Sequence, residues 1–285
     1  MRKHLVIPDT QITPTSPKDH LSWIGQYILE KKPDVIVNLG DFADMESLSS
    51  YDKGKLKAEG KRYKKDIEAA KEGMELLLGP MRRYNARRKT CKKKGYNPEM
   101  HLTIGNHEQR ITRAVESDAA MEGFMSIDDL EYEKFGWQVH PFLEIVELDG
   151  ISYSHYFYNP LSGRPYGGYS IDTMLKNLGF SFVQGHRQQY LVGNRSLNNG
   201  RIIRGLINGS AYLHNEDYRG PQANGEMRAV FLLHEVDEGN YMLTEISLDF
   251  LCRKYEGVHL WQFMKNKYPE IYKQSPWMVR QETRS

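Results

Sequence analysis

The chain has 285 residues, of which 39% are hydrophobic and 27% are charged, and its formal net charge at pH 7 is +2. This length is enough for one large domain or two small ones. The mean hydropathy is -0.65 and no apolar run approaches the ~18 residues that span a bilayer, which excludes a membrane segment. With only two cysteines and an N-terminal apolar stretch too short for a signal peptide, we expect a reducing, cytoplasmic location.

Positive charge is concentrated in residues 53–94, which contain eleven lysines and five arginines against five acidic residues. This stretch therefore carries a net charge of +11, and the rest of the chain carries -9. A basic segment on an acidic body is typical of a protein whose partner is negatively charged, such as a nucleic-acid backbone. A long helix with a solvated, lysine-rich outer face has the same composition, so both interpretations stay open.

Strand and helix patterns alternate through the first half of the chain. Strands are expected at 4–9, 34–39 and 100–104, and helices at 17–30, 61–88, 109–115 and 127–135. Ser16 is the expected cap of the first helix, and Pro80 is expected to kink or split the long basic helix. The inner stripe of that helix is expected to consist of Ile67, Met74, Leu77, Leu78 and Met81.

The second half of the chain is rich in strand patterns. They are expected at 138–148, 151–157, 182–184, 189–192, 202–207, 227–236 and 241–248, and aromatic residues after 254 predict a packed terminal helix. The whole pattern predicts the α+β class, with two mixed sheets inside a four-layer α/β/β/α sandwich. We expect one domain over 1–250, with 53–98 as a basic helical insertion, and a helical tail over 251–285.

Five short pieces of the chain carry side chains that bind divalent metals, and four of them lie at or near the end of a predicted strand. They are Asp9-Thr10-Gln11, Gly40-Asp41-Phe42-Ala43-Asp44, Gly105-Asn106-His107-Glu108, His155 and Gly185-His186-Arg187-Gln188. If these strands share sheets, their ends converge on one edge. Carboxylates, imidazoles and amides on one edge predict a metal site, and a shared carboxylate could bridge two ions ~3.5–4 Å apart.

In this order, the five pieces resemble the motifs of the calcineurin-like metallophosphoesterase superfamily: D-x-H, G-D-x-x-D, G-N-H-D/E, a lone H, and G-H-x-H. The resemblance covers residues 4–215, and Asn208-Gly209-Ser210 is similar to the N-P-G-S turn that follows the last motif. The chain departs from the pattern at Gln11 and Gln188, which stand in place of imidazoles. Chains with these two departures resemble a phage-associated branch.

The resemblance implies a hydrolase, a divalent-metal-dependent phosphoesterase with a two-metal site. The ligands implied for one ion are Asp41, Asn106, His155 and His186. The ligands implied for the other are Asp9, the bridging Asp41, Gln11 and Gln188. The nucleophile would be a metal-bridging hydroxide, and His107 would protonate or hydrogen-bond the leaving group, with Glu108 orienting it. Asp44 would support the loop.

The replacement of two imidazoles by two amides affects which metal ion the site prefers. Amide oxygens suit Mn(II) or Mg(II) better than Zn(II), so we expect manganese, with magnesium as the alternative, and a weaker second position. Further substrate-binding candidates are Arg110, Arg187 and His214. Plainer interpretations exist: Asp9 as a turn former, Gln11 facing solvent, and His155 as a core histidine.

Three functions stay open for this sequence. A phosphodiesterase, most simply a nuclease, is favoured by the basic stretch and by a leaving-group acid at His107. A phosphomonoesterase acting on proteins or nucleotides has the same motifs. A catalytically weak nucleic-acid-binding protein is suggested by Gln11 and Gln188. If the basic stretch contacts phosphates, Lys92, Lys93 and Lys94 are expected to contribute. The patterns do not indicate an oligomeric state.

Overall fold

The computed structural model describes residues 1–50, 54–56, 59–166, 170–216 and 226–282. Within these ranges the chain forms a six-stranded sheet, a five-stranded sheet and a small hairpin. The strands are β1 (Arg2–Ile7), β2 (Val35–Asn38), β3 (Glu99–Thr103), β4 (Gln138–His140), β5 (Val146–Leu148), β6 (Ile151–Ser154), β7 (Tyr158–Asn159), β8 (Arg164–Pro165), β9 (Ser181–Gln184), β10 (Tyr190–Ser196), β11 (Ile202–Asn208), β12 (Ala229–Asp237) and β13 (Asn240–Ser247). The helices are α1 (Asp19–Lys31), α2 (Tyr63–Thr90), α3 (Gln109–Ser117), α4 (Ile171–Leu178), α5 (Leu248–Glu256), α6 (Leu260–Lys267), α7 (Pro269–Lys273) and α8 (Pro276–Glu282).

The six-stranded sheet has the order β13-β12-β1-β2-β3-β4. Its strands β1 to β4 run parallel, and β12 and β13 are antiparallel to their neighbours. Helices α1 and α2 lie in the connections from β1 to β2 and from β2 to β3, and they pack on each other. This crossover topology brings the carboxyl ends of β1, β2 and β3 to the same edge of the sheet.

The five-stranded sheet has the order β10-β11-β9-β6-β5, with β6, β9 and β11 parallel. Its outer strands β5 and β10 are antiparallel to their neighbours, so this sheet is also mixed. The carboxyl ends of β6 and β9 are therefore adjacent.

Three buried clusters show how the layers pack. One contains residues of both sheets, including Val6 and Val37 of the first and Tyr153 and Val183 of the second. Another joins the first sheet to α1, α2 and the C-terminal helices, and the third joins α4 to the second sheet. The predicted α+β class with two mixed sheets is confirmed, and the complete four-layer order stays a prediction.

Helix α2 is part of the main core. It runs unbroken through Pro80, so the predicted split is wrong. Proline removes one backbone hydrogen bond, and here the apolar packing of the buried inner face offsets that loss. The predicted inner stripe is confirmed, because all five of its residues are buried. Residues 53, 57 and 58 of the predicted insertion lie outside the described residues.

Several local expectations are corrected. Ser16 does not cap α1, because its hydroxyl accepts from the Thr13 amide at 2.9 Å and the helix begins after Lys18. Residues 127–135 form two 3-10 helices, Ile127–Leu130 and Tyr132–Phe135, instead of one α-helix. In the part of the tail that the structure describes, which ends at residue 282, there are four short helices, and α4 was not expected at all. No helix among the described residues is long and apolar enough to cross a membrane.

Candidate metal centre

Loops from both sheets meet at one place. The first three motifs follow β1, β2 and β3, and the amides of Thr10 and Gln11 donate to the Asp41 carbonyl at 3.1 and 2.9 Å. His155 directly follows β6, and His186 lies just beyond β9, the parallel neighbour of β6. The carboxyl ends of five strands or their loops thus place the five motifs together, as the strand pattern predicts.

Two motif glycines are required by close backbone approach. A Cβ on Gly105 would lie 2.1 Å from Oδ1 of Asp41, far inside contact distance. A Cβ on Gly40 would lie 2.5 Å from the Gly105 nitrogen, and the φ of +83° at Gly40 also favours glycine. The second and third motifs therefore interlock only because neither glycine has a side chain.

Four side chains predicted for one ion converge. Asn106 Oδ1 lies 2.9 Å from His155 Nε2 and 2.6 Å from His186 Nδ1. Asp41 Oδ2 lies 3.4 Å from His155 Nε2, and the ligand atoms of Asp41, His155 and His186 all lie within 4.8 Å of one another. Each of these residues offers one oxygen or nitrogen to a common point.

The chemistry of this donor set fits a divalent cation. His155 Nδ1 donates to the Leu39 carbonyl at 2.7 Å, so Nε2 is the ring atom that faces Asp41 and Asn106, and it presents a lone pair to them once the ring loses its second proton. Lone pairs of a carboxylate, an amide and an imidazole then point at each other. A cation converts this repulsion into coordination, and the carbonyl bond is the usual support for a metal-binding histidine.

The electrostatics of the four residues favour positive charge beside the Asp41 carboxylate. Burial opposes ionisation of His155, but Asp41 outweighs it and raises the pKa of His155 to about 9. Despite burial, the pKa of Asp41 is lowered by His107 and His155. His186 behaves differently: burial and the charge on His155 lower its pKa to about 4. The Asp41 carboxylate thus favours a proton on His155, and a cation bound at this point would compete with that proton.

The residues implied for the second ion are also buried. Oδ1 of Asp9 accepts from the His186 amide at 3.0 Å, and Oδ2 has no hydrogen-bond partner among the described residues. Burial and the nearby Asp41 raise the pKa of Asp9 to about 7. Gln11 is fully buried, so the alternative of a solvent-facing side chain is wrong. Gln188 is buried as well, and the Tyr212 hydroxyl donates to its Oε1 at 2.9 Å.

Left-handed backbone is concentrated at this centre. The φ angles are 43° at Gln11, 47° at Asp41, 65° at His186 and 55° at Gln188. Such conformations in residues other than glycine store about 1–3 kcal/mol each, and they persist where the surrounding structure fixes them. The loops are therefore shaped to aim these side chains, at some expense of stability.

His107 lies beside the cluster and is oriented by Asp44. The Asp44 carboxylate contacts Nδ1 of His107 in a short hydrogen bond, and Nε2 of His107 lies 3.7 Å from Asp41 Oδ2. Burial opposes its charge, but Asp41 and Asp44 together raise the pKa of His107. Arg110 approaches the same ring, with Nη2 3.3 Å from Nε2. Nε2 of His107 thus lies toward Asp41, and the two carboxylates favour the protonated form of the ring.

Glu108 does not orient His107, contrary to expectation. Its carboxylate accepts from the backbone amides of Asp41, Phe42, Ala43 and Gly105 at 2.7 to 3.1 Å. Burial raises the pKa of Glu108, and the amide donors oppose that rise. Glu108 therefore fixes the loop that carries Asp41, while Asp44 has the contact with the imidazole.

A cleft of about 810 Å³ opens onto the cluster. Arg110 and His214 line it, as do Lys55 and Lys61 from the basic stretch. Arg187 is directed elsewhere, since its guanidinium contacts Gln189 at 2.8 Å and the sulfur of Met174 in α4. Of the three substrate-binding candidates, two therefore face the cleft and one does not.

Two residues that contact predicted site residues were not themselves predicted: Glu216, which lines the cleft, and the buried Tyr212. Glu216 accepts from Nε2 of His214 at 2.7 Å, and Tyr212 holds Gln188 as described above. Both follow the Asn208-Gly209-Ser210 turn within eight residues. That turn was the available signal, because it returns the chain to the cleft after β11.

Comparisons with known proteins add little. No family model matches the chain, and no curated protein matches it. One solved crystal structure aligns over 86% of this chain and 99% of its own, at 12% identity and a TM-score of 0.40. The protein TT1561 of Thermus thermophilus aligns over 86% of this chain and 98% of its own, at 7% identity and a TM-score of 0.39. Likeness at this level says nothing about activity.

Proposed function

We propose that this chain is a divalent-metal-dependent phosphoesterase that hydrolyses phosphodiester bonds, with nucleic acid as the substrate. The observation that carries the proposal is the convergence of Asp41, Asn106, His155 and His186, whose side-chain oxygen and nitrogen atoms face each other beside a cleft. When bound, the cations polarise a phosphoryl oxygen and lower the pKa of water.

His107 is the proton donor in this proposal. Asp41 and Asp44 raise its pKa, which favours the protonated ring, and the hydrogen bond from Nδ1 to Asp44 fixes the ring so that Nε2 lies on the Asp41 side. An alkoxide that leaves from a phosphodiester needs a proton, whereas a nitrophenolate does not. The donor therefore favours diesters with poor leaving groups.

Manganese, with magnesium as the alternative, is the proposed metal, and the two positions are unequal. Both imidazoles of the cluster, His155 and His186, lie with Asn106 on one side. The set proposed for the other ion combines Asp9 and the shared Asp41 with two neutral amides, Gln11 and Gln188, which are weaker ligands than imidazole. A cytoplasmic location is also proposed, because Cys91 and Cys252 are both unpaired.

A substrate comparison tests the reaction. Protein loaded with manganese is given bis(p-nitrophenyl) phosphate, p-nitrophenyl phosphate, single-stranded DNA and plasmid. We expect the diester to be cleaved faster than the monoester, and DNA to be cut. Faster monoester cleavage with intact DNA would show a phosphomonoesterase. DNA binding without cleavage in manganese, magnesium or zinc would show a binding protein.

Removing one ligand tests the metal centre directly. In His155→Ala, we expect manganese affinity and diester hydrolysis to fall by at least ~100-fold, because a ligand contributes no less than its supporting contacts. Bound metal is measured by mass spectrometry after dialysis. His234→Ala is the matched control, since His234 contacts Thr244 on β13 and lies outside the cluster. Unchanged manganese content in His155→Ala would contradict the assignment.

A further inference from the structure

A row of aromatic rings leads away from the metal centre. The ring centroid of Tyr156 lies 4.6 Å from the ring centroid of His186. The ring of Tyr158 lies 6.5 Å from that of Tyr156 and within 28° of parallel to it. We name the three residues His186, Tyr156 and Tyr158 the aromatic ladder. The proposed hydrolysis uses neither tyrosine.

Packing does not account for the outer end of the aromatic ladder. Tyr156 is held between His186 and Tyr158, and it meets the edge of Phe142 at 5.6 Å. Tyr158 begins the β7–β8 hairpin, is 45% exposed, and belongs to none of the three core clusters of the described residues. Leu161 at the hairpin turn is 96% exposed. The ladder therefore ends in a ring that is open to solvent.

Positive charge lies beside the aromatic ladder. Arg113 is exposed on α3, and its Nη2 donates at 3.0 Å to the carbonyl of Asn106, a residue of the metal centre. The charge of Arg113 also acts on the phenol of Tyr156. A cation between the metal centre and the tyrosines is placed to balance a phosphate of a bound strand.

We infer that the aromatic ladder is a stacking site for a base of a single-stranded nucleic acid; this inference rests on the proposed function. Bases stack on tyrosine faces with little regard to sequence. The two ring-to-ring steps of 4.6 and 6.5 Å place Tyr158 within about 11 Å of His186. At ~3.4 Å per stacked nucleotide, the bound base lies within about three nucleotides of the phosphate at the metal. Bases in a duplex are already paired and stacked on each other, so they are not available to stack on the exposed ring of Tyr158.

Tyr158→Leu tests the inference, because it removes the ring and keeps an apolar side chain at an exposed position. Tyr158→Phe is the matched control, because it keeps the ring. The probes are a fluorescein-labelled oligothymidylate of about twelve nucleotides, an abasic strand of equal length and charge, and the oligothymidylate paired in a duplex. Anisotropy is recorded in manganese before cleavage is detectable on a gel, and again in chelator.

We expect Tyr158→Leu to weaken binding of the oligothymidylate by roughly 5- to 150-fold and to leave binding of the abasic strand unchanged. Tyr158→Phe is expected to bind the oligothymidylate within about twofold of the parent. Equal losses on both strands, equal affinity of the parent for base-bearing and abasic strands, preference for the duplex, or no binding by the parent would each overturn the stacking site.

Hydrolysis of bis(p-nitrophenyl) phosphate by the parent is measured in parallel, to separate the stacking site from the proposed function. Hydrolysis together with base-independent binding would refute the stacking site and leave the phosphoesterase intact. Base-dependent binding without hydrolysis of any diester would refute the phosphoesterase and leave the stacking site intact.

Discussion

Glu108 holds the Asp41 loop in position from the inside. Its carboxylate accepts four backbone amides, and the Tyr132 hydroxyl approaches it at 3.3 Å. In Glu108→Gln, the amide group turns a donor toward backbone donors, so buried N–H groups lose their partners. We expect the free energy of unfolding to fall by about 2–4 kcal/mol, measured by urea denaturation in chelator.

The control for Glu108→Gln is Glu116→Gln, because Glu116 is exposed on α3. We expect that control to change stability by less than about 0.5 kcal/mol. Manganese affinity should also fall in Glu108→Gln, since the loop carries the central ligand. A variant with parent-like stability would show that the loop amides find water or other partners.

His20 makes stability depend on pH. It is fully buried on α1, and burial, with the charge of His214, lowers its pKa to about 3. In the unfolded chain His20 is protonated once the pH falls below 6.5, whereas in the folded chain it stays neutral down to about pH 3. The contribution of neutral His20 is complete above pH 6.5 and is lost as the pH falls, by up to about 1.4 kcal/mol per pH unit.

His20→Leu should flatten that dependence. We expect the free energy of unfolding in urea to fall less steeply between pH 6 and 4 in His20→Leu than in the parent, by up to about 1.4 kcal/mol per unit. His234→Leu serves as the control, because His234 is only partly buried. Parallel curves for parent and His20→Leu would mean that His20 is protonated in the folded protein.

At the scale of elements, α1 and α2 touch at Gly25. A Cβ on Gly25 would lie 2.1 Å from the Leu77 carbonyl oxygen and 3.1 Å from Cδ of Pro80. Backbone cannot move aside as a side chain can, so Gly25→Ala must push the helices apart. We expect Gly25→Ala to lower the free energy of unfolding by about 1–3 kcal/mol in urea.

Gln26→Ala is the control for Gly25→Ala, because Gln26 is the next residue of α1 and is exposed. It should change stability by less than about 0.5 kcal/mol. Equal stability of Gly25→Ala and the parent would mean that the two helices shift apart without loss of packing.

The elements that could be predicted are those with a strong apolar period. The parallel strands follow from short apolar runs, and α2 follows from its inner stripe, which the buried residues confirm. The 3-10 geometry at Ile127–Leu130 could not be predicted, because an apolar period does not distinguish the two hydrogen-bond patterns. Helix α4 was overlooked, although Ser170 caps it through the Thr173 amide and Gly179 ends it.

The metal centre also has features that the sequence predicts and features that it does not. Convergence of the motifs follows from parallel strands that end at one edge. The contacts of Glu108 could not be predicted, because three of its donors lie 65 to 67 residues earlier in the chain. A side chain that accepts distant backbone amides leaves no trace in residue spacing.

At the scale of the whole molecule, the basic stretch divides between two ends. Helix α2 has 28 residues, which at ~1.5 Å per residue separates its ends by roughly 40 Å. Lys55 and Lys61 precede it and line the cleft. Lys92, Lys93 and Lys94 follow it, close to Tyr96, whose hydroxyl bonds the Pro33 carbonyl before β2. We therefore expect the phosphate contacts to come from Lys55 and Lys61, in place of the Lys92, Lys93 and Lys94 that the sequence suggested.

Salt dependence of DNA binding distinguishes the two groups. Replacing Lys55 and Lys61 by Gln should weaken single-strand binding and reduce the slope of log affinity against log salt by about 1 per lysine that contacts phosphate. The triple replacement of Lys92, Lys93 and Lys94 by Gln should leave the slope unchanged. A reduced slope in the triple variant alone would place the strand at the far end of α2.

The left-handed backbone at Gln11, Asp41, His186 and Gln188 limits how this sequence can diverge. Valine, isoleucine or threonine at positions 11 or 188 would be strained at these positive φ angles, whether or not the side chain could coordinate a metal. Glycine, asparagine, aspartate and histidine adopt the left-handed conformation more readily. Histidine can also coordinate a metal, so it meets both requirements. An ancestor or descendant with imidazoles at both positions is therefore two substitutions away along a path that the backbone leaves open.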